Sequence, residues 1–197
     1  MSDPSHALRF RRTSRDDLPR IRHWLRAPHV ERYWAHDTSE AGVERDFAGS
    51  FDGTDPSEDF IIELDGEPIG FIQRCFIYDY KEEHSALIAL TAAPASALTI
   101  DYFIGEPSML GRGLATHAIR SFSAESFAAH ADATAIIVPV VIGNVASWSA
   151  LASAGFRRMV SGFLAPDNAL DDGQHHVYRL DRPNIIQPRA SAGRSPH

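Results

Sequence analysis

Residues Leu98–Ala128 read LTIDYFIGEPSMLGRGLATHAIRSFSAESFA. The apolar run Leu98–Ile104 is a strand, Gly105 and Pro107 turn the chain, Leu110–Ala115 is a glycine-spaced loop, and a helix begins at about Leu114. A slim loop feeding a helix N-terminus presents backbone N–H groups with no intrahelical acceptor at the positive end of the helix dipole. Such a junction binds anions, phosphate above all. Gly111 and Gly113 permit positive φ and close approach to the main chain, and Arg112 adds a mobile cation. Taken alone, the glycines are equally consistent with a tight connection that binds nothing.

Two other phosphate sites fail on residues. A nucleotide-triphosphate loop needs G-x-x-x-x-G-K-[ST], and Gly105, Gly111 and Gly113 supply neither the spacing nor the lysine. A dinucleotide fingerprint needs a third glycine where Thr116 stands.

The junction resembles the pyrophosphate loop of the GNAT acyltransferases, Q/R-x-x-G-x-G/A, with matches at Gly113 and Ala115 and with Leu110 where Gln or Arg is commoner. The longer run IDYFIGEPSMLGRGLAT is similar to aminoglycoside 6′-N-acetyltransferases and related siderophore-lysine acyltransferases, and the likeness extends from about Leu8 to Arg182. It implies acetyl-CoA as co-substrate, held by Met109, Leu110, Gly111, Arg112, Gly113, Leu114, Ala115 and Thr116, with Phe103, Ile104 and Asn144 as further contacts. It also implies a GNAT-like α/β (α+β) fold: a mixed, mostly antiparallel central sheet, helices on both faces, and a V between the fourth and fifth strands that admits the pantetheine arm.

Composition agrees with one soluble domain. At 197 residues and 44% hydrophobic, the chain can bury one substantial core, expected over 1–182 with a flexible tail at 183–197. Neither a membrane-length apolar run nor a signal-peptide core is seen, so the cytoplasm is the expected compartment. The lone Cys75 fits a reducing environment and reads as a small core residue. A net charge of −7 disfavours nucleic acid and mildly favours a cationic substrate.

In chain order, Leu8–Arg12 is a strand. Ser14 with Asp17 caps a helix running to about Leu25, His29–Trp34 forms a short second helical segment, and Ser39 caps a third through about Phe51. After a loop at Gly53–Asp59, Phe60–Leu64 and Ile69–Ile77 flank Asp65-Gly66, a two-residue hairpin signal. Tyr80–Ala97 reads as a substrate-side loop, partly helical. Ala135–Ile142 is a strand buried on both faces, where Pro139 points to a bulge or a splayed neighbour. Asn144 caps a helix over Val145–Ala154 that Gly155 ends, and Phe156–Leu164 pairs with His175–Asp181.

Acyl transfer from a thioester requires an amine to be positioned and deprotonated, the carbonyl polarised and the thiolate helped away. The resemblance makes Asp101 the substrate-amine ligand and general base; its bland alternative is a structural acid paired with a donor. Tyr33 and Trp34 would line the substrate pocket and Asp167 would meet substrate amines. A core tryptophan, a solvated turn aspartate and, for Asn144, a plain helix cap are the respective alternatives.

The chain also departs from the pattern. Where the aminoglycoside enzymes carry a tyrosine near the CoA sulfur, this chain has Leu151, which cannot donate a proton; backbone donors, water, Ser147 or Ser149 remain. Leu87–Leu98 is nearly all apolar where an acidic segment is expected, and Pro139 occupies another acidic position; Asp79, Glu82, Glu83, Asp171 and Asp172 could compensate. His175-His176 and the His29/His36 pair lack metal-ligand spacing, so no metal is expected.

The resulting expectation is acetyl transfer to a primary amine of a small cationic substrate, foremost an aminoglycoside 6′-amine, by a monomer or homodimer that needs neither nucleic acid nor membrane. Acylation of a lysine or hydroxylysine side chain in siderophore assembly, and a non-catalytic acyl-CoA-binding module, are the alternatives.

Overall fold

The computed structural model describes residues 7–166 and 171–183. Its strands are β1 (Leu8–Arg12), β2 (Glu58–Leu64), β3 (Glu67–Phe76), β4 (Ala97–Ile104), β5 (Ala135–Val141), β6 (Arg157–Phe163) and β7 (Gln174–Asp181). Its helices are α1 (Leu18–Leu25), α2 (Pro28–Glu31), α3 (Glu40–Phe47), α4 (Gly49–Asp52), α5 (Ser85–Thr91), α6 (Leu114–Ala129) and α7 (Val145–Ala154). The strands form one seven-stranded sheet in the order β1-β2-β3-β4-β5-β7-β6. Only β4 and β5 run parallel.

Local sequence explains the elements. Asp65 (φ +54°) and Gly66 (φ +87°) both adopt the left-handed conformation that a two-residue hairpin between β2 and β3 demands. The Ser39 hydroxyl accepts the Gly42 N–H at 3.0 Å, and the Asn144 side chain accepts the Ser147 N–H at 3.2 Å, each satisfying an otherwise orphaned donor of a first helical turn. Gly155, at φ +106°, ends α7.

Some boundaries differ from expectation. The helix read through Phe51 breaks after Phe47, where the Ser50 hydroxyl donates to Phe47 O at 3.1 Å, and resumes as α4, which the N–H groups of Thr54 and Asp55 close on Gly49 O. The second helical segment ends at Glu31 and closes as a turn, with the N–H groups of both Tyr33 and Trp34 on Val30 O. The loop read through Asp59 ends earlier, since Glu58 and Asp59 already pair with Arg74 and Gln73.

The two-residue alternation of β4 divides the interior. Leu98, Ile100 and Ile104 pack with Ala118, Ile119 and Phe122 of α6 and Leu151 of α7, with Tyr102 at the margin. On the opposite face, Phe103 packs with Phe71 and with Ile21, Trp24 and Leu25 of α1, while Ala97 joins Ala135, Ile137 and Leu87 of α5. Helices therefore cover both faces. Arg74, only 7% exposed, ties β3 to α6: its Nε donates to Glu58, its Nη1 reaches Ser126 Oγ at 3.1 Å, and its guanidinium lies over Phe60 and Phe122. None of the described helices is long and apolar enough to cross a membrane.

The N-terminal strand is locked to the first helix by a buried carboxylate. Both terminal nitrogens of Arg11 donate to Asp17 at 2.8 Å, and the Ser14 N–H and hydroxyl donate to it at 2.9 Å. Burial works to raise the Asp17 carboxyl, but the bonds from Arg11 and Ser14 outweigh it and hold the group below the ordinary value of 3.8. A depressed folded value means that this stabilisation is complete above the unfolded value and is lost as pH falls through the folded one. Asp17→Asn is expected to lose about 2 kcal/mol at neutral pH. Urea unfolding should show the gap between variant and wild type closing as the pH drops below the aspartate range.

Candidate active site

β4 and β5 pair only through Ala97↔Ala135 and Leu98↔Ile136, after which they diverge. Ile142 N–H bonds Gln174 O on β7, so strand alternation puts the position where Pro139 lacks an N–H on the edge facing β4. A cavity of about 420 Å³ fills the gap, lined on the β4 side by Thr99–Tyr102 and on the β5 side by Val138–Val141. Gly105 N–H bonds Ile69 on β3, and Ile104 O accepts from the His29 ring at 2.9 Å, away from β3. The same alternation then aims the N–H groups of Ile100 and Tyr102 into the gap.

The cavity passes through the sheet. Asp101, half-buried, enters from the face covered by α1–α3 and α5, and Tyr102 from the face covered by α6 and α7. Trp34 and Tyr33 line the cavity on the Asp101 side, and Trp34 stands edge-on to Phe103 with ring centres 4.9 Å apart. The Tyr33 hydroxyl donates to Gly143 O at 3.2 Å, bridging the end of α2 to the β5–α7 turn. Asn144 and Ser147 of α7 line the other wall, and Tyr102 Oη lies 2.8 Å from Ser147 Oγ. Burial pushes the Tyr102 phenol above its ordinary range, so it remains a neutral donor.

Beyond β4 the chain forms the expected loop. Gly111 (φ +70°) and Gly113 (φ +74°) are left-handed, and open space lies where a Cβ would stand on either. Leu114, Ala115 and Thr116 form the first turn of α6, and the bond from His117 N–H to Gly113 O is the first to tie the helix to the loop. Arg112 and Leu110 are exposed, and Met109 packs beneath the loop against the α6 core. The Phe103 and Ile104 side chains are core residues on opposite faces; the Phe103 main chain faces β3 and Ile104 O is bonded to His29, so of the two expected contacts only the Ile104 N–H faces the gap. Asp167 lies outside the described residues.

A second cavity of about 280 Å³ shares Asp101, Glu83 and His84 with the first. Asp46, Asp55, Asp59, Tyr80, Gln73 and Cys75 also line it. Burial pushes the Asp59 carboxyl up, against the Ser57 hydroxyl bond at 2.7 Å, and burial likewise pushes the Cys75 thiol up, away from nucleophilic use. Of the acids considered as compensation, Glu83 lines both cavities, Asp171 lies buried 3.6 Å from His175, and Asp79, Glu82 and Asp172 line neither. His175 lines the first cavity, whereas half-buried His176 bonds Ser161 on the other face of the strand. Among the described residues, no group of three or more His, Cys, Asp or Glu side chains could hold a metal ion.

Strand alternation in SEDFIIEL places Asp59 on the face of Ile61, a signal that could have marked it as interior. Nothing local links Asp46 or Asp55 to Asp101, or Tyr102 to Ser147, because each pair meets only through strand pairing and helix docking.

The sequence profile of the Acetyltransferase (GNAT) domain matches residues 13–161. The chain belongs to the GNAT acetyltransferase family. A comparison with curated protein sequences gives no match. Among solved structures, this GNAT protein is similar to the aminoglycoside acetyltransferase AAC(6′)-Ib in complex with coenzyme A and kanamycin, at 22% identity, TM-score 0.74, over 89% of this chain and 95% of that one. The aminoglycoside N(6′)-acetyltransferase from Legionella pneumophila matches at 17% identity, TM-score 0.67, over 90% and 93% of the two chains. RimL, a ribosomal L7/L12 alpha-N-protein acetyltransferase in complex with coenzyme A, matches at 14% identity, TM-score 0.67, over 91% and 96%. These likenesses establish a common fold.

The turn leaving β4 is held by close packing. The Trp24 indole donates to Glu106 at 2.9 Å, and a Cβ on Gly105 would lie 2.2 Å from that indole. Gly105→Ala is therefore expected to lose about 1–3 kcal/mol in urea unfolding, with a shifted tryptophan emission as the indole leaves Glu106. Unchanged stability and emission would remove the packing argument.

Proposed function

We propose that this GNAT protein transfers an acetyl group from acetyl-CoA to a primary amine of a small cationic substrate, with an aminoglycoside 6′-amine as acceptor, by direct attack in a ternary complex. The observation that carries the proposal is the passage through the sheet between β4 and β5, with Asp101 entering from one face and the glycine loop opening α6 on the other. A donor held at the loop and an acceptor held beside Asp101 would meet in the gap.

Each group has a role in this reading. The open amides at Gly111–Thr116 hold the pyrophosphate at the positive end of α6, with Arg112 close by and Met109 and Leu110 shaping the loop. The edge of β4 that faces the gap, from Ile100 to Ile104, and the Asn144 side receive the pantetheine arm. Asp101 binds the substrate ammonium and takes its proton, and the Tyr102 N–H facing the gap stabilises the oxyanion. Trp34 and Tyr33 wall the acceptor side, and Asp167 contributes to it from the late loop.

Charge supports the cationic acceptor. Glu83, Asp46, Asp55 and Asp59 stand around the compartment that continues from Asp101, and the chain carries a net −7. A substrate with more than one amine fits such a field better than a neutral one. The printed ligands of the AAC(6′)-Ib structure, coenzyme A and kanamycin, support the same assignment by analogy of fold. The lone cysteine fits a cytoplasmic setting.

The test is steady-state release of CoA thiol from acetyl-CoA with kanamycin, tobramycin, lysine derivatives and polyamines. Saturable turnover with kanamycin, and none with an analogue lacking the 6′-amine, is the expected result; CoA binding without turnover of any aminoglycoside overturns the acceptor assignment. Asp101→Asn should lower kcat by about 10²- to 10⁴-fold, and an undiminished rate would remove it as base. Gly113→Glu meets no protein atom but strains a left-handed position and sets a carboxylate at the pyrophosphate site. Calorimetry should find CoA binding abolished, and retained affinity would sink the loop assignment.

A further inference from the structure

The reaction proposed above leaves one buried imidazole of the large cavity without a task, that of His175. It is 5% exposed, and Val177, two residues along β7, packs with Ala97, Ala135, Ile137 and Leu87, on the face of the sheet that Asp101 enters. His175 pairs with Val141 of β5, so the gap separates it from Asp101: one borders the cavity from β4, the other from behind β5. We propose that His175 is a specificity-determining residue whose Nε2 accepts a hydrogen bond from a second donor on the acceptor substrate, an ammonium or a hydroxyl set apart from the reacting amine. This rests on the acceptor binding beside Asp101.

The ring is set to accept. Its Nδ1 lies 3.1 Å from Gly173 O, a carbonyl that can only accept, so the proton of the neutral imidazole sits on Nδ1 and the lone pair on Nε2. Asp171 Oδ2 stands 3.6 Å from Nε2, too far for a hydrogen bond but close enough for its charge to be felt. Among the described residues, Ser123 Oγ is the sole fully buried side-chain nitrogen or oxygen without a partner. Nε2 makes no hydrogen bond there, so it reaches open space, and the open space that His175 borders is the cavity. The surrounding segment is fixed: Asp171 Oδ1 accepts the Gly173 N–H at 2.7 Å, and Gly173 O also accepts the Leu164 N–H at 2.9 Å, closing the segment against the end of β6.

The surroundings define the chemistry of the partner. A neutral imidazole with a carboxylate behind it favours an ammonium or a hydroxyl proton over a carboxylate or a phosphate. Glu83, His84 and Asp101 share the cavity, and no lysine or arginine is among the described residues that line either cavity. The His84 ring repeats the arrangement, with Nδ1 3.0 Å from Ile77 O and Nε2 left as the accepting nitrogen. A substrate carboxylate would meet no lysine or arginine on these walls. The geometry therefore selects amines whose other polar groups are donors, such as polyamines and amino sugars, over amino acids that keep a free carboxylate.

The test is calorimetry of amine binding in the presence of CoA, where no acyl group is available for transfer. The probes are pentylamine, with one amine; aminopentanol, which adds a hydroxyl; spermidine, which adds further amines; and kanamycin. His175→Phe keeps a ring in the cavity wall and removes the accepting nitrogen, while His175→Gln returns an accepting oxygen near the place of Nε2. His175→Phe should weaken binding of the probes that carry a second donor about tenfold and leave pentylamine unchanged, and His175→Gln should recover most of the loss. A loss seen with spermidine but not aminopentanol makes the second donor an ammonium, and the converse makes it a hydroxyl; either supports the inference. Equal losses for pentylamine and the other probes would mark His175 as a wall residue and overturn it. So would unchanged binding in His175→Phe, or a wild type that binds no second-donor probe more tightly than pentylamine. Spermidine binding that depends on His175, in a protein that neither binds nor acetylates kanamycin, leaves the inference standing while the aminoglycoside reading fails. Kanamycin acetylated by His175→Phe at the wild-type KM does the reverse.

Discussion

The parallel ladder between β4 and β5 stops after two residue pairs, and the rest of the site depends on that interruption. A continuous ladder would put backbone hydrogen bonds where the cavity now runs. The stop has a local cause in Pro139, whose missing N–H falls on the edge facing β4. β5 holds its place through seven pairs with β7 from Ala135 to Val141, so it can leave β4 without losing the sheet. On the other edge, β4 keeps its full pairing with β3 from Leu98 to Ile104. The gap is thus bounded by two strands that are each secured from behind.

The helices make the gap asymmetric. α6 and α7 close one face with apolar packing and bring the glycine loop, Asn144 and Ser147 to it. α1 and α3 close the other with an aromatic wall in which Trp34, Phe103, Phe71 and Phe47 meet mostly edge-on. Two cross-ties pin the rim: the Tyr33 hydroxyl on Gly143 O, and the His29 ring on Ile104 O. The second tie satisfies a carbonyl that the missing ladder would have left bare. Acidic side chains collect on the Asp101 side, where Glu83 and the aspartates of the adjoining compartment stand.

Much of this was legible from local patterns. The start of α6 at Leu114, the Asn144 cap and Gly155 stop of α7, and the Asp65-Gly66 hairpin all follow from residues that solve a backbone problem within a few positions. Pro139 announced the splay. The break between α3 and α4 was not legible, since it falls where the Ser50 hydroxyl turns back onto Phe47 O, a bond that helical periodicity does not encode. The adjoining acidic compartment was hidden for the same reason: Asp46 comes from a helix, Asp55 from a turn and Asp59 from an edge-proximal strand.

The sequence by itself determined the strand–loop–helix unit that names the family, the alternation that sends Asp101 and Tyr102 to opposite faces, and the absence of a tyrosine at Leu151. Those are properties of neighbours along the chain, set by φ preference, hydrogen-bond capping and two-residue periodicity. Tertiary structure alone decided which groups meet in the gap: that Leu151 turns into the core, that Ser147 comes within 2.8 Å of Tyr102, and that the acids of β2 and α3 open onto Asp101. Such meetings depend on strand order and helix docking, which join residues tens of positions apart through packing that no local pattern records.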